Sequence, residues 1–145
     1  MLMPVTLTIA VACAALSLWL AARISLRRFG TGAMIGDGGD ARLFSLQRAH
    51  ANFAEYAPLV LLLIAAIEAA GGARRWLWIA GGAFVLGRIA HGFGMPRAAP
   101  NPLRAGGILA TWLVLAVLAI WAGTIAYGAV VPHAVEVVPA ELPRG

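Results

Sequence analysis

The chain has no lysine, a single cysteine and little charge of any kind, and each scarcity removes a class of function. Of its 145 residues 12% are charged, and the eleven basic ones are all arginine against six acids, a net charge of +5 spread along the chain. A nucleic-acid partner needs basic side chains clustered on one face, so none is expected. Cys13 cannot form an intrachain disulfide, and its place inside an apolar run gives it a packing role. Three histidines and one cysteine show no metal-ligand spacing, so no metal is expected. Ser17, Ser25 and Ser45 lack the local signature of an activated nucleophile. The Gly-rich stretch from Phe29 to Asp40 has neither a preceding strand nor a Gly-Lys-Ser/Thr ending, and it reads as a flexible connection rather than a phosphate loop.

What the chain has is apolar surface. Hydrophobic residues make up 61% and the mean hydropathy is +0.85, more than a soluble domain carries without aggregating. A hydrocarbon core of about 30 Å takes roughly 20 helical residues to cross, so this length accommodates about four crossings joined by short loops. The expected fold is all-α and integral to the membrane: a four-transmembrane-helix bundle, one domain over about 1–131, with helices at about 4–22, 42–70, 76–94 and 103–131. Residues 132–145, with three prolines and two acids, read as a short tail. The first run, Pro4 to Ala22, is uncharged and stops at Arg23, Arg27 and Arg28; with no positive charge ahead of it, it reads as a retained helix. The uncharged part of the second helix, Tyr56 to Ile67, is too short to cross alone, so its first half must carry polar groups into or near the membrane. Glu68, near its far end, reads as an interface residue. Arg74-Arg75 reads as a topology signal, and Trp76 and Trp78 as an aromatic anchor opening the third helix.

Orientation follows from the arginines. The loop between the first two helices bears Arg23, Arg27, Arg28 and Arg42, and the loop between the last two bears Arg97 and Arg104; the other side holds Arg74, Arg75 and Arg144. By the positive-inside rule the Arg-rich side is cytoplasmic and both termini are non-cytoplasmic. Topology then collects the polar start of the second helix, the Arg88 end of the third and the Arg104 start of the fourth at one membrane face. Ionisable groups at membrane depth pair, face protein or line a water-filled cavity, so a polar site opening to the cytoplasm is predicted.

Arg48, Asn52 and Glu55 are spaced i, i+4 and i+7 and share one helix stripe, with Tyr56 flanking it and His50 on the opposite side. A cation, an amide and a carboxylate suit a zwitterionic ligand; an ion-paired stripe that binds neighbouring helices is the alternative. Arg88 and His91 are i, i+3 neighbours, and either can pair with Glu55. Arg104, in the first turn after Pro102, stands where either a snorkelling topology marker or a reactive group fits. A small multidrug transporter has the same length and span number, but such proteins centre on a carboxylate in the first helix, and Pro4 to Ala22 has none.

The run Arg48-Ala49-His50-Ala51-Asn52-Phe53-Ala54-Glu55-Tyr56-Ala57-Pro58 resembles the helix-two signature of the membrane-associated proteins in eicosanoid and glutathione metabolism. Gly87-Arg88-Ile89-Ala90-His91 is similar to helix three of the prostaglandin branch, and Pro102-Leu103-Arg104 to the start of its helix four. The resemblance covers about Arg23 to Gly128. It implies a homotrimer that binds glutathione, as co-substrate, between adjacent subunits near the cytoplasmic face, with a lipophilic small molecule arriving from the surrounding membrane lipid. By position it assigns Arg48, Asn52, Glu55 and Tyr56 to glutathione from one subunit, and Arg88, His91 and one of Arg27 or Arg28 from the neighbour. His50 stands where some members have a further contact.

Arg104 matches the arginine assigned to thiol activation in that family. A guanidinium beside a thiol of pKa about 8.5 favours the thiolate, which is the nucleophile. The expected function is a glutathione transferase or glutathione-dependent peroxidase acting on lipophilic electrophiles; a non-catalytic or differently liganded member with a structural or binding role is the alternative. Met95 departs from the pattern: prostaglandin-forming relatives have a tyrosine there, and methionine cannot donate a hydrogen bond, so eicosanoid synthesis is not expected. The Ala, Gly and Arg bias without lysine looks bacterial and implies an inner membrane.

Overall fold

The computed structural model describes residues 2–130, and among them the chain forms four α-helices. These are α1 (Pro4–Thr31), α2 (Ala41–Ala69), α3 (Arg74–Gly94) and α4 (Pro102–Val130). The expected tail, 132–145, lies outside the described residues.

Each helix buries one seam. Val5, Ile9, Cys13, Leu16 and Leu20 on α1 face Phe53, Ala57, Val60 and Ile64 of α2 within one core, at spacings of three and four residues that keep them on one side of a helix. Outward faces carry Leu18, Leu62, Leu86, Leu109 and Ile120, apolar surface that acyl chains solvate. Helices α1, α2 and α4 are long and apolar enough to cross a membrane. Helix α3 is shorter, at 21 residues, and turns its Arg88 and His91 into the protein. It packs along α4, and α1 along α2; α2 also touches α3 and α4, whereas α1 and α4 lie apart.

Glycines let α3 and α4 approach closely. A β-carbon on Gly107 would collide with the Gly87 carbonyl and come within 2.7 Å of the His91 nitrogen. One on Gly94 would collide with the Arg104 nitrogen.

One helix boundary and the role of one residue correct the expectation. Helix α1 runs on to Thr31 instead of stopping at 22, because its arginines find partners without leaving the helix. Arg23 lies 4.6 Å from the Trp19 ring centroid and donates from Nη1 to Gly92 O at 2.8 Å. Arg27 pairs with Asp40, and Arg28 donates to Ala33 O and Met34 O. Gly32, at φ 70°, then ends the helix with its N–H on Arg28 O. The following loop is therefore tied rather than merely flexible. Asp40 N-caps α2, accepting from Leu43 N at 2.6 Å, and Gln47 Nε2 donates to Gly36 O at 2.7 Å. The Arg27 hydrogen bond, followed by the Leu43 amide, holds the Asp40 carboxyl below its ordinary pKa.

Glu68 is the second correction. It is 2% exposed, and its carboxylate accepts from Val5 N at 3.1 Å, Thr6 N at 2.8 Å and Thr6 Oγ1 at 2.8 Å. The first N–H groups of a helix have no partner within it, and α1 has no side-chain cap of its own, so α2 supplies the cap.

Candidate functional site

A recess of about 680 Å³ opens at the end of the bundle where α2 and α4 begin and α3 ends. Arg48 and Asn52 line it from α2, His91 and Met95 from the end of α3, and Arg104 and Ile108 from α4. Arg48 and Arg104 are exposed, Asn52 and Met95 half-buried, and His91 4% exposed.

Local chemistry sets these positions. Asn101 Oδ1 accepts from Leu103 N at 3.0 Å and Arg104 N at 3.3 Å, capping α4 and placing Arg104 in its first turn. His91 Nδ1 lies 3.0 Å from Arg104 O. A carbonyl only accepts, so Nδ1 carries the proton and donates, and α3 is latched to the start of α4. Nε2 is then a lone-pair acceptor, and it has no partner among the described residues.

Arg88 lies behind Asn52, 1% exposed. Its Nη2 donates to Asn52 Oδ1 at 2.7 Å and its Nη1 to Thr111 Oγ1 at 3.2 Å, while Nε has no partner among the described residues. Its guanidinium carbon stands 6.0 Å from the Tyr56 ring centroid. Thr111 Oγ1 in turn donates to Gly107 O at 2.9 Å, and Tyr56 OH accepts from Trp112 Nε1 at 2.9 Å. With its oxygen accepting from Arg88, Asn52 has its amide N–H groups left as donors at the recess.

Among the described residues no carboxylate lines the recess, so Arg48 and Arg104 suit it to anionic groups, with Asn52 adding neutral donors. Among the described residues, no cluster of three or more His, Cys, Asp or Glu could hold a metal.

The structure therefore gathers Arg48, Asn52, His91 and Arg104, with Arg88 and Tyr56 in the layer behind. Glu55 is exposed outside the recess, and it makes no ion pair with Arg88 or His91, contrary to the expected pairing. Seven residues carry it roughly 10 Å along α2 from Arg48, past the last α2 residue of the lining. His50 faces α1, with Nε2 3.3 Å from Ser17 Oγ. Arg27 and Arg28 are committed to the loop. His91, expected opposite Arg48 and Asn52 across a subunit boundary, lines one chain's recess with them, and Arg88, expected there too, bonds to Asn52 of its own chain from behind.

Sequence reasoning missed Asn101, Gly107 and Thr111. Asparagine before Pro102 is a helix-start signal that identifies the first. Small residues at Gly107 and Thr111, i+3 and i+7 from Arg104, mark the face that meets α3.

A membrane bundle with an arginine-lined recess at one border is the class that fold and site define. The sequence model of the MAPEG family matches residues 6–124, and the chain belongs to that family, the membrane-associated proteins in eicosanoid and glutathione metabolism. Over 87 residues it is 38% identical to Inner membrane protein YecN of Escherichia coli (strain K12), covering 58% of this chain and 65% of the relative. The protein of that name from Escherichia coli O6:H1 matches equally. The match thus spans just under two thirds of these relatives' length.

Proposed function

We propose that the protein binds glutathione in this recess and uses its thiol as a nucleophile or reductant toward lipophilic electrophiles, as a transferase or peroxidase. The observation that carries the reading is the convergence of Arg48, Asn52, His91 and Arg104 from three helices on one cavity. Glutathione presents two carboxylates, an amine and a thiol. Arg48 and the Asn52 amide suit the carboxylates, and Glu55, on the adjoining exposed face of α2, suits the amine. Arg104, a guanidinium at the membrane border, would favour the thiolate by its charge. His91 and Arg88 act as positioning residues, one latching α3 to α4 and the other orienting Asn52.

A homotrimer fits this arrangement: a neighbour covering the α2 face would enclose Glu55, an acid that one chain leaves exposed at membrane depth. The inner membrane named for the YecN relatives is the proposed location, with the recess facing the cytoplasm and both termini away from it. Cysteine labelling of positions 30 and 98 from the same side supports that orientation; labelling from opposite sides ends it. One observation favours a binding role without turnover: Met95 lines the recess and has no hydrogen to donate to a sulfur.

Isothermal titration of the detergent-purified protein tests the reading. Glutathione is expected to bind, and Arg48→Ala to weaken binding about tenfold or more, since a charged hydrogen bond is worth roughly 1.5–3 kcal/mol. No heat at millimolar glutathione would remove the proposal.

A further inference from the structure

The opposite end of the bundle holds a second cavity, a groove of about 580 Å³ between α3 and α4. Trp76, Ile79 and Ala83 form one wall, and Val117, Ile120 and Trp121 the other. The one hydroxyl in the lining, that of Thr124, donates to Trp121 O at 2.8 Å. The α3 wall runs from Trp76 to Ala83 and the α4 wall from Leu113 to Thr124, roughly 10 and 16 Å at 1.5 Å per residue. One leaflet of hydrocarbon is about 15 Å deep, so the groove has the length of an acyl chain in a single leaflet.

Its mouth is basic. The Arg75 guanidinium carbon lies 5.5 Å from the ring centroid of Trp76, a groove wall, and Arg75 makes no salt bridge among the described residues. Arg74 reaches Glu68 only at 3.9 Å, and that carboxylate is already committed to Val5 and Thr6. The remaining described acids are Asp37 and Asp40 in the loop at the recess end, and Glu55 on the recess half of α2. Neither this chain nor the same end of a second copy therefore offers Arg75 a described carboxylate. The other lipid-facing groove, beside Trp19 and Phe93, differs on this point: its arginine, Arg23, already donates to Gly92 O.

We infer that the α3–α4 groove seats one anionic phospholipid in the leaflet opposite the recess, its acyl chain between Trp76 and Trp121 and its phosphate on Arg75, with Arg74 beside it. A neutral lipid would fill the groove and leave Arg75 without a partner among the described residues, and a free phosphate would pair Arg75 and leave the groove empty. Only an amphiphile with both parts satisfies both.

The test uses the full chain with Trp19, Trp78 and Trp112 replaced by phenylalanine, so that fluorescence reports Trp76 and Trp121. It is reconstituted in phosphatidylcholine vesicles containing acyl-brominated phosphatidylglycerol or acyl-brominated phosphatidylcholine. Quenching by the anionic lipid should be half-maximal at a mole fraction at least threefold lower. Arg75→Gln should abolish that preference while quenching by the neutral lipid persists, which shows the fold intact; Arg23→Gln should leave the preference in place. Equal quenching by the two lipids, or a preference that survives Arg75→Gln, overturns the assignment. So does absence of quenching by either lipid together with Thr124→Cys self-crosslinking, which would give the groove to a second copy.

Discussion

The two ends of the bundle handle buried polar groups in opposite ways. At one end Glu68 is enclosed and satisfied, with two backbone amides and a hydroxyl on its oxygens. At the other, Arg88 and His91 are as deeply enclosed, yet each keeps one ring or guanidinium nitrogen without a partner among the described residues. A satisfied buried charge rigidifies, whereas an unsatisfied one is costly unless something else completes it. The contrast separates a clamp from a candidate site: α1 and α2 are fastened at the Glu68 end, and the recess end is where we propose that a ligand binds.

The largest expected effect is at the clamp. Glu68→Ala leaves the first amides of α1 without an acceptor and should cost about 3 kcal/mol in detergent unfolding, with glutathione affinity unchanged within about twofold. Wild-type stability in that variant would erase the distinction between the two ends. Next is Gly107→Ala, whose β-carbon meets the Gly87 carbonyl and His91. Overpacking there should cost about 1–3 kcal/mol and weaken ligand binding by displacing the His91 latch. Gly106→Ala meets nothing within 4 Å and should be neutral or slightly stabilising in the same unfolding experiment. Thr111→Val removes the acceptor of Arg88 Nη1 at nearly constant volume; about 1–2 kcal/mol of stability should be lost, with a parallel loss of glutathione affinity in titration.

The smallest effect is at Asp40, in the loop beside the recess. Its folded pKa lies below the ordinary 3.8, so the tie to Arg27 is fully present above that value and is lost as pH falls through the lower folded one. A spin label at Ile35→Cys should report constant loop mobility from about pH 8 to 5 and rising mobility below about pH 4. With Asp40→Asn it should be mobile throughout.

Much of this was legible in the sequence because apolar run length and charge position obey the bilayer. Four helices, the convergence of α2, α3 and α4 at one border, and the shared stripe of Arg48 and Asn52 all follow from those two patterns. The reach of α1 to Thr31 did not, since an arginine ends an apolar run but ends a helix only if it lacks partners; Trp19, Gly92 and Asp40 supply them from elsewhere in the chain. The capping role of Glu68 is not legible for the same reason: its partners, Val5 and Thr6, are more than sixty residues away. Glu55 shares the Arg48 stripe by angle, yet angle says nothing of depth, and the lining on α2 ends at Asn52. His50 lies on the far side of α2 from that stripe, as its angle requires; it meets Ser17 of α1 there and does not line the recess, where the resemblance would have it as a further contact.

The difference between the two ends is tested most directly by the ultraviolet absorbance of glutathione thiolate, recorded at neutral pH with wild-type protein and with Arg104→Ala. A thiolate band on binding to the wild type, reduced at least tenfold in a variant that still binds glutathione, is the expected result. Glutathione that binds both proteins equally and stays a thiol on both would contradict the assignment of the recess as a thiol-activating site.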